Sequence, residues 1–222
     1  MNTNHVAGRS ARRGWRLALA ALALSTAGGA HATPGAEALK LTTVVGSLAT
    51  WGWVAWNWDG AQTRCERATR VSGWGARDGE LRQAGLGLSL HDCTLAARVV
   101  GTPITLQPIL SANAWSTHGA VSGARSAQDV ALVPLLRWRT GLGGGLMGGV
   151  HLGIGGALLS EPNIGNREKS TMWQFSDHLG VHLEPVDSAW RLGLSYRHVS
   201  NGNIREPNQA VDFVGLNLEF KL

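Results

Sequence analysis

The stretch Trp190–Leu222, WRLGLSYRHVSNGNIREPNQAVDFVGLNLEFKL, decides the fold, because apolar and polar residues alternate on both sides of one loop. Successive side chains of a strand point to opposite faces of the sheet. The pattern therefore predicts two strands joined by the long loop Asn201–Val211. The apolar face of this hairpin carries Leu192, Leu194, Tyr196, Val214, Leu216, Leu218, Phe220 and Leu222.

Three polar residues, His198, Ser200 and Asp212, have the parity of that apolar face and lie near the loop. Polar groups on an apolar face are costly unless they find hydrogen-bond partners. A serine nucleophile needs a base to take its proton, and a carboxylate can orient a histidine base. The spacing therefore permits a Ser-His-Asp triad within one hairpin. It equally permits a simpler interpretation, in which polar residues only mark the strand ends.

The chain begins with a segment typical of export. Arg9, Arg12, Arg13 and Arg16 precede the apolar run Leu17–Leu24, which is too short to span a bilayer as a helix. Ala30-His31-Ala32 fits the small-residue cleavage pattern. We predict a signal peptide over residues 1–32 and a single mature domain over residues 33–222; the alternative is an uncleaved anchor.

The charge of the mature chain excludes one class of partner. Removing the four arginines of the leader lowers the formal net charge from +5 to +1. The remaining sequence has no basic run interleaved with aromatic residues, so it does not indicate nucleic-acid binding.

Composition and periodicity favour a transmembrane β-barrel. After the leader no window of 18 apolar residues remains, yet the chain holds 30 glycines and 10 tryptophans among its 222 residues and alternates in its later half. A short turn, Pro185–Ser188, and a long loop, Asn201–Val211, fit the outer-membrane pattern of short periplasmic turns and long extracellular loops. This orientation puts the loop Asn201–Val211 outside the cell. The alternative is a soluble, exported β-sandwich or small barrel.

Further strands are predicted from the same alternation. They cover Leu86–Leu90, Val130–Arg139, Gly143–Leu159, Trp173–Glu184 and the hairpin above. Pro134 predicts a bulge or a strand end inside the second of these. The ends of strands between Gly60 and Gln128 cannot be placed. The tryptophan-rich run Leu41–Trp58 is interpreted as an interfacial girdle or, alternatively, a soluble core.

The histidines and cysteines outside the hairpin receive no catalytic role. His151, His178 and His182 have inward parity, so they are expected to be interior polar residues and not metal ligands. Cys65 and Cys93 lie in an exported chain, where one optional disulfide across a loop or between neighbouring strands is permitted.

The run His198–Asn208, HVSNGNIREPN, followed by Asp212, resembles the signature of the lipid A 3-O-deacylases. These are outer-membrane lipopolysaccharide deacylases built as eight-stranded barrels, and many carry glutamate at the position of Asp212. Phe175–Gly180, FSDHLG, and Trp56–Asp59, WNWD, are similar to two other strands of that family. Between Gly60 and Gln128 no resemblance is visible.

The resemblance implies an all-β, eight-stranded antiparallel transmembrane barrel of the outer membrane. It implies a serine esterase acting on the acyl chain at the 3 position of lipid A, without a metal or organic cofactor. The implied residues are Ser200 as nucleophile, His198 as base, Asp212 as orienting acid and Asn201 and Asn203 as oxyanion donors.

The implied partner is lipid A in the outer leaflet, and the oligomeric state is left open between monomer and homodimer. Cations near the predicted extracellular ends, Arg197, Arg205, Arg167 and Lys169, are candidates for contact with lipid A phosphates. Two competing functions stay open: a non-enzymatic barrel, adhesive or structural, and a phospholipid esterase.

Overall fold

The structure, a computed structural model, describes residues 34–56, 62–99 and 101–222. The predicted signal peptide and residues 57–59 of the WNWD motif lie outside this range. The described elements are α1 (Pro34–Trp56), β1 (Arg64–Asp78), β2 (Leu81–Val99), β3 (Thr102–Thr117), β4 (Ser126–Gly143), β5 (Leu146–Leu159), β6 (Trp173–Pro185), β7 (Trp190–Ser200) and β8 (Val211–Lys221).

The eight strands form a closed antiparallel barrel in which each strand pairs with the next and β8 pairs with β1. Closure satisfies every strand edge, which an apolar environment requires. The predicted eight-stranded antiparallel barrel is therefore confirmed. One end, here the loop end, carries the two-residue turn 79–80 and the long connections 118–125, 160–172 and 201–210. The opposite turn end carries connections of at most four residues.

The outer surface of the barrel is an apolar belt. Its exposed residues include Leu86, Leu88, Leu110, Val130, Leu132, Leu158, Val181, Leu183, Leu192, Leu194, Val214, Leu216 and Leu218. An apolar belt of this extent faces lipid in a transmembrane barrel. Within the described part of the chain, no helix is both long and apolar enough to cross a bilayer.

The barrel interior holds polar side chains together with a buried apolar cluster that includes Trp115, Val133 and Phe213. Arg137 contacts Glu219 at 2.9 Å, and Gln107 and Asn113 are also buried there. His151 and His182 are buried among them, as their inward parity predicted. Small barrels fill their interior in this way and leave no channel.

The segment before the barrel is helical as far as Trp56, the first residue of the WNWD motif; the rest of that motif, where the sequence indicated a strand, lies outside the described residues. In helix α1, Val54 belongs to one buried apolar cluster with Leu95 and Leu136. Its buried positions are Thr43, Val44, Ser47 and Val54. The separations of three, four and seven residues among them repeat with the helical period, which an alternating pattern does not.

Pro134 lies inside β4 without a bulge, contrary to the prediction. It pairs with Pro108 of β3, and the β3–β4 register has no shift. On the β5 side, the pairing is interrupted at residues 133–135, but Leu132–Gly156 before the gap and Leu136–Leu152 after it keep the same register. Proline lacks an N–H donor, so it removes a ladder bond without requiring an extra residue.

The two cysteines join neighbouring strands at the turn end. Cys65 of β1 and Cys93 of β2 are cross-strand partners, and a disulfide links them with a Cα–Cα distance of 3.9 Å. Of the two arrangements that the sequence left open, the structure has the bridge between neighbouring strands.

Candidate active site

His198, Ser200 and Asp212 come together at the loop end of β7 and β8. His198 Nε2 lies 3.0 Å from Ser200 Oγ, and His198 Nδ1 lies 2.7 Å from Asp212 Oδ1. All three project from the outer face of the wall, yet His198 is 2% and Ser200 7% exposed. The site is therefore a sheltered position on the lipid-facing side.

Chemistry fixes the direction of these two contacts. An ionised carboxylate only accepts hydrogen bonds, so His198 Nδ1–H donates to Asp212 and Nε2 is left without a hydrogen. Ser200 Oγ–H can then donate to Nε2. This is the geometry that a histidine base needs to take the proton of a serine hydroxyl.

The strand register explains why the shorter acid reaches the histidine. His198 is the direct cross-strand partner of Asp212 on β8. On its other side, His198 pairs with Asp177 of β6, which is buried. The position of Asp177 beside His198 follows from the strand register and could not be predicted from the sequence alone.

Two residues outside the predicted set hold Asp212. The hydroxyl of Tyr196 donates to Asp212 Oδ1 at 2.6 Å, the same oxygen that His198 contacts. The backbone N–H of Asp212 donates to Asp78 Oδ2 at 3.0 Å. The sequence indicated Tyr196 only by placing it on the same face of β7 as His198. It gave no indication of Asp78, which lies 134 residues away from Asp212 along the chain.

A tight turn follows Ser200. Gly202 and Asn203 have φ angles of 65° and 60°, and Ile204 N–H donates to the Asn201 carbonyl. Positive φ at both central positions is the requirement of a type I′ turn. Asn208 braces the turn, since it accepts from Asn201 N–H at 2.9 Å and donates to Asn203 Oδ1 at 2.6 Å.

The side chain of Asn201 ties this turn to the loop 160–172. Its Nδ2 donates to the Arg205 carbonyl at 2.7 Å and to Ser170 Oγ at 3.2 Å. The side-chain amide of Asn201 therefore belongs to the residue next to Ser200, but its hydrogens are already donated to acceptors in the two loops.

The candidate cations lie in different places. Arg197 points into the barrel, where its guanidinium contacts both carboxylate oxygens of Asp129 at 2.8 and 3.0 Å, so it is not on the membrane face and cannot contact a lipid there. The expectation that Arg197 binds substrate is therefore wrong, because neighbouring residues of a strand face opposite sides. Arg205 is exposed on the loop, and Arg167 contacts Asp78 at 3.5 Å.

Lys169 is fully buried beside the site instead of projecting to the surface. Its Nζ donates to the carbonyl of Val199 at 2.7 Å. Burial lowers the pKa of Lys169 to about 7, although Asp212 and Asp78 favour its charged form. The expectation that it contacts lipid phosphates is wrong, because the ammonium is enclosed by protein.

Comparison with known proteins identifies a matching family. The chain matches the family described as Lipid A 3-O-deacylase (PagL) over residues 48–221. It is 32% identical over 118 residues to "Lipid A deacylase PagL" of Bordetella bronchiseptica (strain ATCC BAA-588 / NCTC 13252 / RB50), a match that covers 53% of this chain and 63% of the relative. The match thus spans less than two thirds of that relative's length.

Two solved structures have a similar barrel. One is the outer membrane enzyme PagL, with a TM-score of 0.58 and 19% identity over 69% of this chain and 99% of that chain. The other is the N-terminal β-barrel domain of Pseudomonas aeruginosa OprF, with a TM-score of 0.42 and 14% identity over 72% of this chain and all of that chain. The first supports the fold.

The family match also includes the region between Gly60 and Gln128, where the sequence motifs showed no resemblance. That part of the sequence interpretation is therefore wrong. All eight strands lie inside the matched range, which is most of the chain. The protein belongs to the lipid A 3-O-deacylase (PagL) family.

Proposed function

We propose that this protein is a serine esterase of the bacterial outer membrane that hydrolyses the ester-linked acyl chain at the 3 position of lipid A. The observation that carries the proposal is the chain of contacts from Ser200 Oγ through His198 to Asp212, with distances of 3.0 and 2.7 Å. Membership of the deacylase family supports the substrate class.

In the first step, Ser200 Oγ attacks the carbonyl carbon of the ester while His198 Nε2 takes its proton. Asp212 stabilises the imidazolium that forms. The bond between the carbonyl carbon and the sugar oxygen then breaks, and His198 returns the proton to that oxygen. The product is an acyl-enzyme and a free hydroxyl at the 3 position of the sugar.

In the second step, water attacks the acyl-enzyme with His198 again as base. The free fatty acid leaves, and Ser200 regains its proton.

Asn201 and Asn203, beside the nucleophile in sequence, are the proposed donors to the oxyanion. Because the Asn201 amide donates to the Arg205 carbonyl, the oxyanion would compete with that carbonyl for its hydrogens.

The placement of the site fits a substrate that is itself part of the membrane. The site lies on the outer wall at the loop end, above the exposed Leu192 and Leu194. With that end outside the cell, as we propose for a chain exported by a cleaved signal peptide, an ester just below the headgroups can reach Ser200 by lateral diffusion. The exposed Arg205 is then placed to contact a lipid A phosphate.

Mass spectrometry of lipid A from cells with and without the protein tests this function. We expect the loss of one hydroxyacyl chain, and unchanged lipid A from a folded, surface-located protein would contradict the proposal. Fatty acid released from phospholipids alone would instead identify a phospholipid esterase. Absence of both reactions would identify a non-enzymatic barrel.

A further inference from the structure

Lys169 is a fully buried cation that the proposed reaction does not use. Lysine is seldom fully buried, because removing an ammonium from water is costly unless charged or polar groups compensate. Its Nζ donates to the carbonyl of Val199 at 2.7 Å. Val199 is the residue between the base His198 and the nucleophile Ser200, so this bond acts on the peptide that joins them.

The backbone of Lys169 contacts the site from the other side. Its carbonyl accepts a hydrogen bond of 3.4 Å from Nδ2 of Asn201, the residue that follows Ser200. Its neighbours run along the loop 201–210: Glu168 exchanges two hydrogen bonds with Gln209, at 2.9 and 3.0 Å, and Ser170 Oγ donates to the Arg205 carbonyl at 2.9 Å. Lys169 therefore lies where the two loops meet at the nucleophile.

Charged groups surround the ammonium from three strands and from its own loop. Asp212 of β8 and Asp78 of β1 favour the charged form of Lys169, while Arg167 of the same loop and Arg197 of β7 oppose it. Asp212 is the acid that contacts His198. The ammonium therefore attracts the same carboxylate that contacts the histidine.

We propose that Lys169 is a positioning residue of the active site. Its ammonium holds the Val199 carbonyl, which fixes the spacing between His198 and Ser200, and its charge faces the carboxylate of Asp212. The inference rests on the proposed function, since it assigns Lys169 a role in the reaction of Ser200.

Steady-state kinetics of the purified full chain on lipid A in detergent test the positioning role. Lys169→Met keeps most of the volume but removes the donor and the charge, so we expect kcat to fall about tenfold with KM nearly unchanged. Lys169→Arg keeps a donor and a charge and should recover most of kcat. The control Arg125→Met removes an exposed cation from the same end of the barrel and should leave both constants unchanged.

The pH dependence separates this role from a structural one. Because burial lowers the pKa of Lys169 to about 7, the ammonium loses its proton above that pH. The kcat of the unmodified protein should therefore decline above pH 7, and Lys169→Arg, which stays charged, should not show this decline. Identical pH profiles for the two proteins would overturn the inference.

Labelling of Ser200 by a fluorophosphonate makes the two proposals separable, because the probe reports the reactivity of the serine without lipid A. In this reaction Ser200 Oγ forms a bond to phosphorus and fluoride leaves. Slower labelling of Lys169→Met, in a barrel that still shows heat-modifiable migration, supports the inference even if lipid A is not cleaved. Labelling at the unmodified rate would contradict it.

Discussion

At the scale of single residues, the site depends on one carboxylate oxygen with two donors. Asp212 Oδ1 accepts from His198 Nδ1–H and from the hydroxyl of Tyr196, at 2.7 and 2.6 Å. Two donors on one oxygen fix the position of a short side chain more tightly than one donor does. Tyr196 thus helps to hold the carboxylate of Asp212 against His198.

Removing the Tyr196 hydroxyl should therefore lower the activity without abolishing it. For Tyr196→Phe we expect kcat on lipid A to fall by about three- to tenfold, the equivalent of losing one hydrogen bond of about 1 kcal/mol. Leu194→Ala, on the same face of β7 but away from Asp212, is the matched control. Unchanged kcat in Tyr196→Phe would show that Asp212 does not need this hydroxyl.

At the scale of elements, regular strands could be predicted and irregular ones could not. β6, β7 and β8 alternate strictly, so the sequence places His198, Ser200 and Asp212 on one face correctly. In β1 and β2 the register shifts between Arg67 and Arg70 and between Leu88 and Cys93. Each irregularity disturbs the period of two, which is why the strand ends before Gln128 could not be found.

Inside the barrel, Gly180 of β6 lies too close to its neighbours to carry a side chain. A Cβ at Gly180 would lie 2.4 Å from the His151 ring and 2.7 Å from the Leu194 carbonyl. Gly180→Val should therefore prevent normal closure, or destabilise the barrel by about 1–3 kcal/mol or more. Heat-modifiable migration in gels measures this, with Val181→Ala on the exposed outer face as the control. A Gly180→Val barrel as stable as the control would contradict the close approach.

At the scale of the whole molecule, the closed barrel and its family follow from the sequence, while the contacts between loops do not. Helix α1 was missed because its tryptophans were interpreted as girdle or core residues. Lys169 contacts Val199 and Asn201, which lie about thirty residues further along the chain. No local pattern in the sequence predicts such contacts.

Lys169 also predicts how the stability of the whole barrel depends on pH. Its pKa is about 7 in the folded protein and 10.5 in its ordinary state, so between these values the unfolded chain binds more protons. The contribution of Lys169 to the unfolding free energy must then rise with pH from about 7 to about 10.5, and be constant below that window. Urea unfolding in detergent at several pH values should show a steeper rise for the unmodified protein than for Lys169→Met. Parallel curves would contradict burial of the ammonium.

The central claim is that Ser200, with His198 and Asp212, removes one acyl chain from lipid A. The most direct measurement is mass spectrometry of lipid A after incubation with the purified protein or with Ser200→Ala, both shown to be folded by heat-modifiable migration. We expect the unmodified protein to release one hydroxy fatty acid and Ser200→Ala to release none. Equal release by both proteins would contradict it.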